Sequence, residues 1–173
     1  MVLKALQDRK QCEHEGQWHC LWSGKALILP GILLDTHALY WLVSGEDGLS
    51  EQALLAIGEN QNTSTLYVSP ITSWELSIAT MKGHAAGRPN LGQQSPGRWF
   101  RDAVGVTEAK IAPIKQRISC EAAQVANTTG HRDPGDCFLI ATARVRRLTL
   151  ITRDNIIRQI SADDPDYLDV IVC

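Results

Sequence analysis

The sequence predicts an α/β fold of three layers, α/β/α, in which helices cover both faces of a central, mainly parallel sheet. From residue 27 onward, short apolar segments alternate with longer segments of helical pattern. Strands separated by helices are typical of parallel sheets, because each connection has to cross one face of the sheet. The 173 residues, 44% of them hydrophobic, suffice for one core, and the chain shows no internal repeat.

Strands are predicted where a short apolar run lies between turn or helix signals. The first and fourth runs are followed by an aspartate, Asp35 and Asp154 respectively. The predicted strands are residues 27–34, 66–69, 109–112, 148–152 and 168–172.

Helices are predicted from capping residues and from apolar residues at helical spacing. Ser50 is a favoured N-cap, Pro70 suits a helix start, and Asp133 caps a helix whose first residue is proline. Gly83 ends the third helix, and the prolines and glycines of residues 87–97 predict a loop. The predicted helices are residues 36–43, 51–60, 70–82, 98–104, 115–127, 134–147 and 155–160.

Residues 1–26 are polar and lack clear periodicity, so we expect an N-terminal extension ahead of one domain at residues 27–173. Disorder and a misplaced translation start are both consistent with this composition. The two cysteines and two histidines of the extension match no standard zinc-finger spacing.

The composition favours a cytoplasmic protein. No apolar run approaches the roughly 20 residues that span a bilayer, and the layout of a signal peptide is lacking. We therefore expect no membrane partner, and we expect the five cysteines to stay reduced.

The formal net charge of -2 is unlike that of many basic nucleic-acid binders, but six arginines lie near the last two acidic candidates. They predict either a basic rim for a polyanion or a solvated helix face. The six are Arg132, Arg144, Arg146, Arg147, Arg153 and Arg158.

Asp35 and Asp154 each follow a predicted strand and precede a predicted helix. Parallel α/β sheets bind ligands beyond the carboxyl ends of their strands, which makes both residues candidates for a site. Each could instead be an ordinary N-cap, since aspartate is favoured at that position.

Glu75 lies among apolar residues on the predicted helix 70–82. Ile71, Trp74, Ile78 and Met81 recur at helical spacing, and Glu75 falls within the sector that they define. We therefore expect this face of the helix, with its glutamate, to be buried. A buried carboxylate needs a partner, and a metal ion or a metal-bound water would serve.

Asp136 is the third residue of the predicted helix 134–147 and shares a face with Leu139 and Ile140, so it should point toward the core side. It could instead complement the positive end of the helix dipole. Asp133, one turn earlier, is expected to be an outer ligand or a residue that supports the ligands.

Four carboxylates in one crevice repel one another unless a cation neutralises them. The sequence therefore predicts a divalent-metal site that handles phosphate. Its four ligands would be Asp35, Glu75, Asp136 and Asp154, and the helix N-termini would receive phosphate oxygens.

Four short segments along residues 27–173 contain the candidate acids, and their order along the chain is informative. They are Ile-Leu-Leu-Asp-Thr-His-Ala-Leu-Tyr-Trp at 32–41, Ser-Trp-Glu-Leu at 73–76, His-Arg-Asp-Pro-Gly-Asp at 131–136 with Ile-Ala-Thr-Ala at 140–143, and Leu-Ile-Thr-Arg-Asp at 150–154. In this order and spacing they resemble the PIN-domain ribonucleases, and most closely the VapC-type toxins of VapBC toxin–antitoxin pairs.

The resemblance implies a PIN-like fold and a metal-dependent endoribonuclease. The four acids would hold one or two Mg²⁺ or Mn²⁺ ions, and Thr152 would support them by a hydroxyl hydrogen bond. It also implies an RNA substrate, a homodimer, and a VapB-like antitoxin whose C-terminal segment enters the acidic pocket. Leu39, Tyr40, Trp41 and Leu42 are candidates either for the antitoxin groove or for the core.

The chain departs from the family pattern at Cys137, where these toxins commonly have arginine. RNA contact at this position is therefore left open.

The mechanistic hypothesis is in-line attack on phosphorus by a water whose pKa the metal lowers, giving 5′-phosphate and 3′-hydroxyl ends. His37 and His131 lie near the site in sequence and are candidate bases. A packing or hydrogen-bonding role is favoured for His37, because the metal already activates the water.

Other enzyme classes fit less well. A haloacid-dehalogenase-like phosphatase needs an aspartate where this chain has His37, and neither the acidic pair of a receiver domain nor a Gly-rich phosphate loop is present. The alternative from another class is a non-catalytic PIN-like module that binds RNA or protein. Retention of all four acids argues against it.

Overall fold

The computed structural model describes residues 31–46, 48–81 and 89–173. Its strands are β1 (Ile32–Leu34), β2 (Leu66–Val68), β3 (Lys110–Ile111), β4 (Thr149–Thr152) and β5 (Val170–Val172). Its helices are α1 (Thr36–Ser44), α2 (Glu51–Asn62), α3 (Ile71–Met81), α4 (Pro96–Thr107), α5 (Gln116–Thr129), α6 (Pro134–Arg146) and α7 (Asn155–Asp163).

The five strands form one all-parallel sheet in the order β3-β2-β1-β4-β5. In the central strand, Leu34 pairs with Val68 on one side and with Ile151 on the other. The chain runs outward from β1 to β3, then crosses back to β4 and runs outward to β5. Strand order therefore reverses between β1 and β4, where sheets of this kind form a crevice at their carboxyl edge.

Two hydrophobic clusters lie on opposite faces of the sheet. Ile32 and Leu34 of β1 belong to a cluster with α1, α2 and α4, whereas Leu33 belongs to a cluster with α5, α6 and α7. Alternate residues of a strand point to opposite faces, so a fully apolar strand is expected when both faces are covered. The predicted three-layer α/β/α fold is confirmed.

Some predicted boundaries need correction. Pro96 does not belong to a loop but starts α4, since a proline fits the first position after the N-cap Ser95, and the helix continues to Thr107. The predicted strand 109–112 is reduced to β3, and the predicted helix 155–160 extends through Asp163. The predicted start of the first strand, the stop at Gly83 and the extension at residues 1–26 lie outside the described residues.

The apolar stripe of α3 faces outward, which contradicts the prediction that it is buried. Trp74, Ile78 and Met81 are 46%, 42% and 76% exposed. The buried face of α3 is instead that of Thr72 and Leu76, because the neighbouring helices pack on that side.

None of the helices in the described ranges is both long enough and apolar enough to cross a bilayer.

Candidate metal centre

The predicted acids lie at the carboxyl edge of the sheet, beside the switch point between β1 and β4. Asp35 follows β1 and is the N-cap of α1, and Asp154 follows β4 and is the N-cap of α7. Asp136 lies in the first turn of α6, whose N-cap is Asp133. Glu75 reaches this edge from α3.

Asp35 is the most buried acid, with 4% of its surface exposed. Its Oδ1 accepts a 2.6 Å hydrogen bond from the backbone N–H of Ala38. Burial raises the pKa of Asp35, while the Thr152 hydroxyl and the Ala38 amide oppose that rise. Thr152 therefore lies beside Asp35, and its hydroxyl also accepts a hydrogen bond from the Asp154 amide at 3.1 Å.

Glu75 lies half-buried beside α1 and α6. Its Oε2 accepts a hydrogen bond from the hydroxyl of Thr36. Burial raises the pKa of Glu75 to about 7, and the negative charges of Asp136, Asp133 and Asp35 add to the rise. The carboxyl group is therefore destabilised as an anion by the same neighbours that would share a cation with it.

Asp136 is held by a buried histidine. Nε2 of His131 lies 2.8 Å from Oδ2 of Asp136, and the histidine is 7% exposed. Burial raises the pKa of Asp136; the hydrogen bond from His131 lowers it, and the charges of Asp133 and Asp154 raise it further.

Three of the acids form a tight group. One carboxylate oxygen each from Glu75, Asp133 and Asp136 lie within 4.8 Å of one another. Asp133 thus belongs to this group, although its Oδ1 already accepts from the Gly135 amide at 2.8 Å. Asp35 and Asp154 do not belong to this group of three, but their charges raise the pKa of Glu75 and of Asp136 respectively.

The fold orients these carboxylates through one oxygen and leaves the other without a donor. Among the described hydrogen bonds, Glu75, Asp133, Asp136 and Asp154 accept at Oε2, Oδ1, Oδ2 and Oδ1 respectively. The second oxygen of each accepts from no protein group in the same ranges. A carboxylate that is held in place through one oxygen and accepts no hydrogen bond at the other can offer that second oxygen to a hard divalent cation.

No lysine or arginine neutralises the cluster within the part of the chain that the structure describes. The three ion pairs found there are Arg98–Asp102, Arg144–Glu121 and the His131–Asp136 contact. The donor set and the uncompensated charge therefore fit Mg²⁺ or Mn²⁺.

The helix N-termini, predicted to receive phosphate oxygens, use part of their N–H groups for their own capping carboxylates. The amides of Ala38, Gly135 and Ile157 donate to Asp35, Asp133 and Asp154 respectively. These N–H groups are consumed by the capping carboxylates, so they are not free for phosphate oxygens.

The predicted basic rim is smaller than expected. Arg144, Arg146 and Arg147 lie at the C-terminal end of α6, about 12–17 Å along the helix from Asp136 at ~1.5 Å per residue. Arg144 pairs with Glu121 and stacks on Tyr167. Arg132, Arg153 and Arg158 are exposed and stay closer to the acids.

The side chain of Cys137 is buried, so it does not reach the surface where RNA could contact it. It is 4% exposed and its thiol donates to the backbone carbonyl of His131. His37 is exposed, and its ring lies 5.8 Å from that of Trp41, which agrees with the favoured packing role.

Two supporting residues were not identified from the sequence. Thr36 donates a hydrogen bond to Glu75, which lies 39 positions later in the sequence. His131 is predicted only as a candidate base, whereas in the structure it contacts the carboxylate of Asp136. The available signal was the position of each beside a candidate acid, Thr36 next to Asp35 and His131 five residues before Asp136.

Comparison with known proteins gives one matching family model, described as the PIN domain, over residues 32–163. No curated protein matches the chain. Among solved structures, DNA-bound VapBC from Salmonella typhimurium is similar, with a TM-score of 0.55 and 16% identity over 83% of this chain and 98% of that chain. FitAcB from Neisseria gonorrhoeae has a TM-score of 0.52 and 23% identity over 81% and 96%.

A third similar structure is VapBC2 from Rickettsia felis bound to a promoter DNA fragment, with a TM-score of 0.55 and 12% identity over 82% and 97% of the two chains. At these identities the likeness concerns the fold.

Proposed function

This chain belongs to the PIN-domain family, and on that premise we propose that it is a Mg²⁺- or Mn²⁺-dependent endoribonuclease, the toxin of a VapBC-type pair. The observation that carries the proposal is the group formed by Glu75, Asp133 and Asp136. Its oxygens lie within 4.8 Å of one another, and no lysine or arginine ion pair neutralises them within the described ranges.

We assign the ligand oxygens to Asp35, Glu75, Asp136 and Asp154, with Asp133 as a fifth candidate. A divalent ion held there supplies positive charge that stabilises the scissile phosphate and lowers the pKa of the attacking water. Thr36 and His131 keep Glu75 and Asp136 in the orientation that presents their free oxygens. The sugar hydroxyl has no part in this scheme, so the products carry 5′-phosphate and 3′-hydroxyl ends.

The proposed partner is a VapB-like antitoxin whose C-terminal segment enters the acidic pocket. Two of the similar structures are VapBC complexes, which supports this partner by analogy of fold. The cluster of uncompensated carboxylates would attract a basic side chain from such a segment. With RNA as its substrate, we place the protein in the cytoplasm.

We further propose a homodimer, with the stripe of Trp74, Ile78 and Met81 on α3 as part of its interface. Exposed apolar residues at helical spacing commonly mark a surface that is covered by another molecule. Two copies of such a stripe can cover each other across a twofold axis.

The direct test is cleavage of total RNA by the purified protein in Mg²⁺, in Mn²⁺ and in EDTA, with the product ends identified. We expect cleavage only with metal, 5′-phosphate ends, and almost no activity for Asp35→Asn. Products with 2′,3′-cyclic phosphate ends would contradict the scheme.

The same protein can be melted with and without Mn²⁺ to separate the enzyme from the non-catalytic module. A ligand that binds the folded form alone raises the melting temperature. No shift at millimolar Mn²⁺, together with RNA binding but no cleavage, would favour the binding module.

A further inference from the structure

Arg153 directly precedes Asp154, in the segment that follows β4. Its side chain is exposed, and it takes part in none of the ion pairs of the described residues. A guanidinium that pairs with no carboxylate keeps its N–H groups available for a ligand.

The indole of Trp41 holds this guanidinium in place. The guanidinium carbon of Arg153 lies 4.8 Å from the centroid of the Trp41 ring, a distance at which a cation is attracted to the ring face. Gly48 packs against the same indole, since a Cβ on Gly48 would overlap the ring atoms. Trp41 is therefore fixed from one side and presents a platform for Arg153.

Several groups near the acids that could receive phosphate are already engaged or buried. The amides of Ala38, Gly135 and Ile157, in the first turns of α1, α6 and α7, donate to Asp35, Asp133 and Asp154. Cys137, next to Asp136, is buried. Of the exposed arginines near the acids, namely Arg132, Arg153 and Arg158, Arg153 is the one found on an aromatic ring within the described ranges.

We propose that Arg153, held on the ring of Trp41, binds a backbone phosphate of the RNA adjacent to the phosphate that is cleaved. The proposal rests on the proposed function and adds the residue that positions the substrate strand. The planar guanidinium suits a phosphate because two of its N–H groups can bond two oxygens at once. Trp41 is a positioning residue, because it acts through Arg153.

The test is fluorescence anisotropy with a labelled 20-nucleotide single-stranded RNA of mixed sequence, in Mg²⁺, between 50 and 200 mM salt, with Asp35→Asn added to the unmodified protein and to every variant so that the probe is not cleaved. We expect Arg153→Ala to weaken binding about tenfold and to reduce the slope of log Kd against log salt by about 0.7, the value for one phosphate contact. Trp41→Leu should weaken binding roughly threefold and retain the slope, since the charge remains.

The matched control is Arg146→Ala. Arg146 also lies over an aromatic ring, 5.2 Å from the centroid of Tyr67, but at the far end of α6. The Arg146→Ala variant loses the same charge as Arg153→Ala, and we expect its RNA affinity and its salt slope to equal those of the unmodified protein. Trp41→Phe, which keeps an aromatic ring, should restore most of the affinity lost in Trp41→Leu.

The proposal is overturned if Arg153→Ala binds like the unmodified protein, if Arg146→Ala loses as much, or if the unmodified protein does not bind the RNA. Unchanged RNA binding by a folded Trp41→Leu variant would overturn the positioning role of Trp41. If the Trp41→Leu variant unfolds at a lower temperature than the unmodified protein, the RNA affinity of Trp41→Phe decides that point. The binding comparison decides on Arg153 whether or not the protein cleaves RNA, whereas an absence of cleavage by the protein without Asp35→Asn refutes the proposed function alone.

Discussion

The carboxylate of Glu75 occupies the space that any side chain at position 135 would need. A Cβ built on Gly135 would overlap Oε1 of Glu75, and it would lie 3.2 Å from Oδ1 of Asp133. The absence of a side chain at the start of α6 thus lets α3 bring its glutamate against Asp133 and Asp136.

Replacing Gly135 by alanine should displace Glu75 while leaving the fold intact. The overlapping atom is the end of a flexible side chain, so the glutamate can move, and alanine suits a helix better than glycine. We expect the free energy of unfolding without metal to change by less than about 1 kcal/mol. Mn²⁺ affinity, measured by calorimetry, should fall roughly tenfold.

Gly97→Ala is the matched control for this substitution. Gly97 also follows the first-position proline of its helix, α4, but a Cβ there would meet nothing closer than Ser73 Oγ at 4.0 Å. Equal loss of Mn²⁺ affinity in both variants would show that Gly135 has no special relation to Glu75.

The metal-free protein should lose stability as pH rises from about 4.5 to 7. The pKa of Glu75 is about 7 in the folded protein and 4.5 ordinarily, because of its burial and the charges of Asp136, Asp133 and Asp35. Between these values the folded state binds more protons than the unfolded state, so stability falls with pH and the loss is complete above pH 7.

Glu75→Gln removes this proton uptake and keeps an oxygen that can accept from Thr36. We expect the variant to be more stable than the unmodified protein at pH 8, by at most about 3 kcal/mol, and similar to it at pH 4.5. Urea midpoints at both pH values in EDTA measure the effect. A variant less stable at pH 8 would mean that the Glu75 carboxylate is not destabilised as an anion.

His131→Phe should weaken metal binding through Asp136. The histidine fixes Oδ2 of Asp136 at 2.8 Å and leaves Oδ1 free. Loss of a residue that orients a metal ligand commonly costs about 10–100-fold in metal affinity, and we expect a Mn²⁺ Kd raised by that factor. His37→Ala is the control, since His37 is exposed and packs on Trp41; an equal loss in both variants would exclude the orienting role.

Ile78→Glu should convert the proposed homodimer to a monomer, because it places a charge in the exposed stripe of α3. Light scattering coupled to size-exclusion chromatography measures the mass. Leu55→Glu on α2 is the control: Leu55 is 63% exposed, also apolar, and on another helix. A monomer before substitution, or a dimer that persists in Ile78→Glu, would exclude this interface.

The fold was predictable because its signals are local. The apolar runs that precede Asp35 and Asp154, the cap Ser50 and the pair Asp133–Pro134 each fix one element boundary without reference to distant residues. The alternation of strand and helix then leaves few arrangements other than a parallel sheet covered on both faces.

The sequence identifies the acids that lie at this edge of the sheet, but it does not show every reason for their positions. The sequence predicts Glu75 as a site residue because it lies among Trp74, Ile78 and Met81, yet those residues are exposed. A helix with apolar residues on two sides does not reveal which side the rest of the protein covers. Glu75 reaches the site because α3 packs through Thr72 and Leu76.

The supporting contacts depend on tertiary structure and had no local signal of comparable strength. Thr36 and Glu75 meet across 39 positions, and Gly135 matters only because α3 lies against α6. Asp133 is predicted from the sequence both as an N-cap and as an outer or supporting residue, but its closeness to Glu75 depends on the packing of α3 against α6.

A Mn²⁺ titration of the purified protein by calorimetry, run beside an RNA cleavage assay over the same concentrations, tests the metal-dependent nuclease most directly. We predict saturable binding of one or two ions, lost in Asp136→Asn, with cleavage rising over the same range of Mn²⁺. No binding at millimolar Mn²⁺, or RNA cleavage that persists in EDTA, would contradict the account.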